Sequence, residues 1–169
     1  MSRPDLSRVP DFFHGYISKV KEDNLMSGLK SSTKNLFDLL KSIPSEKHDH
    51  RYADGKWTIK EVLQHMLDGE RVFTYRALRF ARKDTTPLPG FDENLFAQTA
   101  KADKRNWNDM VEEFVSLRKA TEAMFASFDK EQMEQSGIAS ENSTYVLGIG
   151  YIVAGHVNHH CQIIKERYL

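Results

Sequence analysis

Two of the seven histidines, His156 and His160, fall one helical turn apart in the last segment of this 169-residue chain. At about 100° per residue, Tyr145, Val146, Ile149, Ile152, Val153, Ile163 and Ile164 form one apolar stripe, and both histidines lie within about 20° of its centre. An imidazole on a face meant for burial needs partners for its ring nitrogens, since an unpaired buried polar group costs a few kcal/mol, on the order of 1–3. Spacing i, i+4 is also how two histidines of one helix chelate one metal ion, as in H-E-x-x-H helices. Here Val157 follows His156, so the glutamate base of that motif is missing. The plainer alternative is a pair of core histidines bonded to backbone carbonyls.

A catalytic metal site typically takes three protein ligands and keeps a position open. The candidate third ligand is His65, at the edge of a stripe formed by Ile59, Val62, Leu63, Met66 and Phe73. Gly69, its i+4 neighbour, leaves room beside the ring. Glu70 falls inside the same stripe, where a carboxylate must be paired or protonated. An ion pair with an arginine of another helix is one reading of Glu70. A proton acceptor near the metal, and so a catalytic group, is the other. His159 points to the flank, about 60–80° from the His156–His160 face. His48, Asp49 and His50 read as solvated turn chemistry, and His14 carries no signal. Cys161 lies off the stripe, without the cationic surroundings that make a reactive thiolate. Arg76, Arg79 and Arg82 read as a solvated or interface face.

The elements that must hold these residues are helical. Residues 1–12, with Pro4 and Pro10, read as an extended lead-in. A helix is predicted from about Phe13 to Ile43, ended by Pro44. Thr58 and Glu61 form a capping box that opens a second helix, running to about Lys83. Residues 84–102 form a long loop in which DENLFAQTA makes a short helix. A third long helix spans about Asp103 to Phe128. QSGIASENS breaks the pattern, and a last helix begins near Thr144. No segment shows strand alternation bounded by turn chemistry. Four amphipathic helices in one domain, residues 1–169, predict an all-α four-helix bundle with long connections.

Lys plus Arg and Asp plus Glu number 24 each, so the formal net charge is zero. That balance argues against nucleic-acid binding, which needs an excess of cations. No apolar run reaches the roughly 18 residues of a membrane span. The N-terminus lacks the apolar region of a secretory signal, and one cysteine excludes an internal disulfide. A cytoplasmic protein is expected. A di-iron ferritin-like bundle is set aside, because no Glu-x-x-His occurs.

The stretches KWTIKEVLQHMLDGER and GHVNHHCQIIKERYL resemble the DinB-like (YfiT-type) superfamily, and the likeness extends over nearly the whole chain through RALRFAR, LPGFDE and the closing ERYL. The resemblance implies a four-helix bundle of unusual connectivity, often homodimeric. It also implies one divalent metal held by three histidines at positions matching His65, His156 and His160. Three imidazoles suit Zn, Ni or Fe. The family includes metal-dependent thiol S-transferases and an isomerase that use bacillithiol or mycothiol, and many members classed only as metal-dependent hydrolases. The chain departs from the bacillithiol-type branch at Glu70 and Arg71. The expectation is a metal-dependent transferase or hydrolase acting on a small molecule, with a low-molecular-weight thiol as cosubstrate. The alternative is a non-catalytic metal-binding or small-molecule-binding stress-response protein. A homodimer is expected as well, with Phe37, Tyr75 and Phe80 read as exposed apolar positions.

Overall fold

The computed structural model describes residues 3–169. Nine elements follow in order: α1 (His14–Ile17), α2 (Leu25–Ser42), α3 (Ile59–Ala81), α4 (Glu93–Thr99), α5 (Trp107–Ala126), α6 (Lys130–Met133), β1 (Ser136–Ala139), β2 (Asn142–Tyr145) and α7 (Val146–Arg167). The long helices α2, α3, α5 and α7 make the bundle. Helix α7 packs against α1, α2 and α3, and α5 closes on α2 and α3.

The capping box at Thr58 is present, with both reciprocal bonds to Glu61. Asn106 caps α5 by accepting from Asn108 and Asp109. The first predicted helix is in fact two. Its apolar spacing continues through residues 18–24, but Asn24 accepts from the Ser27 amide at 3.1 Å and starts α2 afresh. The lead-in is also more ordered than expected, since Leu6–Arg8 and Asp11–Phe13 form single 3₁₀ turns and Val9 is buried.

An antiparallel hairpin, β1–β2, stands where only a break in the helical pattern was expected. Its turn residues, Ser140 and Glu141, adopt φ of 50° and 63°. A tight hairpin turn needs such angles and usually takes them from Asn-Gly or Asp-Gly, so Ser-Glu left no signature. The loop before α4 lies along this hairpin: the Leu88 amide donates to Ile138 O (2.9 Å) and the Ser140 amide to Leu88 O (3.0 Å).

The interior is two apolar clusters. One holds Leu29, Phe73, Phe125 and Ile149, and the other holds Leu36, Met66, Phe114 and Val157. In each long helix the residues between the two sets include buried polar ones: Ser32, Glu70, Arg118 with Thr121, and His156. A polar layer therefore crosses the middle of the bundle. Cys161 is buried in the second cluster and is not off the packed face as its angle suggested, and burial pushes its thiol up to about 12. Two of the three aromatic positions expected to be exposed are covered. Phe80 is 0 % exposed, and Phe37 is half-buried beneath the Lys41 ammonium, whereas Tyr75 is 52 % exposed. No helix is long and apolar enough to cross a membrane among the described residues.

Candidate metal centre

Helix α3 presents His65 and helix α7 presents His156 and His160, and the three rings converge. Nε2 of His156 lies 2.9 Å from Nε2 of His65 and 3.1 Å from Nε2 of His160. The three candidate ligand atoms all lie within 4.8 Å of one another. Tetrahedral ligation at 2.0–2.1 Å would set donor nitrogens about 3.3 Å apart. A neutral ring nitrogen has one proton or one lone pair, yet Nε2 of His156 faces two others. A shared electron-pair acceptor resolves that arrangement better than hydrogen bonding does.

The charge state agrees. Burial, with a smaller push from His159, lowers His65 to about 4. Burial and the neighbouring rings hold His156 and His160 well below the ordinary imidazole range. All three are neutral at pH 7, the form that ligates a metal.

Local packing aims the rings. Gly69 does leave room, but the ring it admits is that of His156 and not of His65: a Cβ there would lie 3.1 Å from Cε1 of His156. Gly155 brings α1 against α7, since a Cβ would sit 2.1 Å from the Tyr16 carbonyl oxygen. Tyr16 thereby packs edge-on to His156 at 5.4 Å, Phe73 does so at 5.8 Å, and Trp57 flanks His65 at 4.9 Å.

Glu70 makes an ion pair with an arginine of another helix, Arg118. Arg118 Nη2 donates to its Oε2 at 2.7 Å, Arg118 Nε to its Oε1 at 2.9 Å, and the Thr121 hydroxyl to Oε1 at 2.7 Å. Both oxygens are engaged, which leaves a poor proton acceptor. His159 is half-buried against Tyr16 and outside the convergent group. His48 stacks on Trp107 at 3.9 Å, and His14 Nε2 lies 2.9 Å from Val9 O.

A cleft of about 410 Å³ reaches the histidines, walled by Phe12, Phe13, Tyr16, Trp57, Phe73 and Phe91, with Arg76, Glu93 and Ser140 also lining it. Sequence reasoning missed most of these wall residues, because they come from turns and loops with no periodicity. It also put Arg76 on a solvated or interface face, whereas Arg76 is buried within the chain, beside Pro89 and Ser140. Burial raises Tyr16, with Glu93 adding to the effect, so its phenol stays protonated at neutral pH.

The family model of the DinB superfamily matches residues 29–164. A protein of Oceanobacillus iheyensis named "Putative metal-dependent hydrolase" is 24% identical over 143 residues, covering 81% of this chain and 79% of its own. The solved structure of YfiT from Bacillus subtilis, titled "a probable metal-dependent hydrolase with an unusual four-helix bundle topology", superposes with a TM-score of 0.73 at 16% identity, over 84% of this chain and 82% of that one. At that identity the likeness is one of fold.

Proposed function

The chain belongs to the DinB superfamily, and on that premise we propose that it is a divalent-metal-dependent enzyme that uses an activated water or thiol to cleave or transfer a group on a small molecule. The observation that carries the proposal is the convergence of three neutral imidazoles, His65, His156 and His160, at the floor of a cleft large enough for a substrate. These residues would hold one ion, of Zn, Ni or Fe. Such an ion lowers the pKa of a bound water or thiol and so provides a nucleophile at neutral pH.

The chain's own groups do the rest. The aromatic walls exclude water and grip an apolar body. The protonated phenol of Tyr16 can donate a hydrogen bond into the cleft. Glu93, on the first turn of α4, is the carboxylate lining the cleft and takes the proton-acceptor role that Glu70 cannot. The named relatives support hydrolysis, and a thiol cosubstrate rests on the family resemblance alone.

A non-catalytic binding protein is the competing reading. A sensor can saturate its ion with four protein ligands, whereas the ligand group here has three among the described residues. A cytoplasmic setting and pairing of two copies belong to the same proposal. The lone thiol, Cys161, is buried and free, which suits a reducing compartment. Tyr75 and Leu78 give α3 an exposed apolar edge for a second copy.

The test is stoichiometric titration of zinc, nickel and iron(II) into chelator-stripped protein, followed by a screen of ester, amide and thiol-transfer substrates. The expected result is one ion per chain and a turnover lost with His156→Ala and His160→Ala. An ion that stays inert to added thiol, azide and every substrate class would support the binding-protein reading instead.

A further inference from the structure

Arg76 is 7 % exposed and makes no ion pair among the described residues. Its Nη2 donates to Pro89 O at 3.1 Å and to Ser140 Oγ at 2.9 Å. Burial alone lowers its pKa, with no carboxylate acting on it. A guanidinium has five N–H donors, so three remain without an acceptor among the described residues. A buried cation in that state is costly unless something anionic joins it.

A second observation points to the same place. A side lobe of about 50 Å³ opens beside Arg76, sharing Phe12, Phe13, Phe73, Arg76 and Ser140 with the main cleft. Thr144 lines this lobe, and its buried Oγ1 has no hydrogen-bond partner among the described residues. One water needs roughly 10–15 Å³ of such space, so the lobe has room for a small polar group. Ser140 is held there at φ 50°, a conformation costly for a residue with a side chain and typical of functional loops. Its oxygen accepts from Arg76, which leaves its own O–H free to donate. Guanidinium N–H groups and two hydroxyls make a site rich in donors, and a carboxylate is the ligand that only accepts.

We propose that Arg76, Ser140 and Thr144 form a carboxylate-recognition site, so that the substrate of the His65–His156–His160 centre is a carboxylic acid with an apolar body. Its acid group docks at Arg76 while its reacting group faces the histidines. His65, Gly69, Phe73 and Arg76 share one face of α3. Eleven residues at about 1.5 Å each, with the arginine reaching back toward the helix start, set a span on the order of 10 Å. Glu93, the carboxylate of the cleft, acts on Tyr16 and makes no ion pair with Arg76. The substrate class rests on the metalloenzyme reading, but binding of the acid group does not need the ion.

The experiment is calorimetric titration of 3-phenylpropanoate and its uncharged amide, 3-phenylpropanamide, into chelator-stripped and zinc-loaded protein. The acid should bind both forms, and the amide at least about 10-fold more weakly. Arg76→Met should weaken the acid about 10- to 100-fold, and Thr144→Val a few-fold. In the wild type, the Arg76 Nε–H resonance should shift on titration, which keeps the test valid if Arg76→Met fails to fold. Unchanged affinity in Arg76→Met, equal affinity for the amide, an unmoved Nε–H resonance or no millimolar binding would each overturn the site. Binding confined to the zinc-loaded protein and lost with His156→Ala would show the acid on the metal and also overturn it. Displacement by equimolar inorganic phosphate would reassign the site to phosphate. If zinc fails to bind while the acid still does, the metalloenzyme reading fails and the carboxylate site stands.

Discussion

Removing one partner of the Glu70–Arg118 pair separates a structural role for Glu70 from a chemical one. The two side chains are 2 % and 1 % exposed. Arg118 also donates through Nη1 to Ser32 Oγ at 2.9 Å and Leu29 O at 3.3 Å, so the pair joins α2, α3 and α5 through the polar layer. Arg118→Met leaves a buried carboxylate with Thr121 as its remaining partner, and Glu70→Leu leaves a buried guanidinium. Each should cost about 3–5 kcal/mol, or about 6–20 °C in Tm at 2–4 °C per kcal/mol for a domain of this size. The double variant Glu70→Leu, Arg118→Met removes both charges together. It should lie within about 1–2 kcal/mol of wild type, a coupling of several kcal/mol between the two sites. Urea denaturation followed by circular dichroism at pH 7 gives the energies, and metal content per folded chain gives the second readout. The structural role predicts full metal content in the double variant. Single variants that each cost under about 1 kcal/mol and add independently would refute it. So would a stable double variant that loses its metal, which would return Glu70 to the chemistry of the centre.

Replacing His156 or His160 by Ala should take bound metal from one ion per chain to nearly none, while His159→Ala should leave it unchanged; elemental analysis decides both. Gly155→Ala drives a Cβ to 2.1 Å from backbone oxygen of Tyr16, so α1 must move. The expected loss is about 2–3 kcal/mol by urea denaturation, and wild-type stability would show that α1 yields freely. The metal-free protein should lose stability below the unfolded imidazole pKa of about 6.5. His65 is lowered to about 4 and His156 and His160 lie well below their usual range. The unfolded chain therefore takes up protons that the folded chain refuses, and each of these histidines contributes a slope of up to about 1.4 kcal/mol per pH unit as pH falls from 6.5 toward 4. A stability profile flat between pH 7 and pH 4.5 would count against neutral, buried rings.

The histidines proposed to hold a metal were legible before the fold was. His156 and His160 share the middle of an apolar stripe, and periodicity alone places them together on a buried face. The Thr58 capping box fixed the start of α3, and with it the face of His65. Which ring would occupy the space beside Gly69 was not legible, because that depends on how α7 crosses α3. The hairpin stayed hidden because Ser140 and Glu141 take positive φ without glycine. Glu70 in an apolar stripe announced a buried charge, yet its partner, Arg118, lies 48 residues away on another helix. Arg76 was misplaced for the same kind of reason. What covers it, Pro89 and Ser140, comes from a loop and a hairpin that helical spacing cannot describe. The sequence by itself determined most of the long helical segments, the start of α3 at its capping box and the buried face shared by His156 and His160, since these follow from local periodicity and capping. Only the tertiary structure decided what those faces enclose: a cleft, a paired glutamate and an arginine with no ion pair among the described residues, all made by residues distant in the chain.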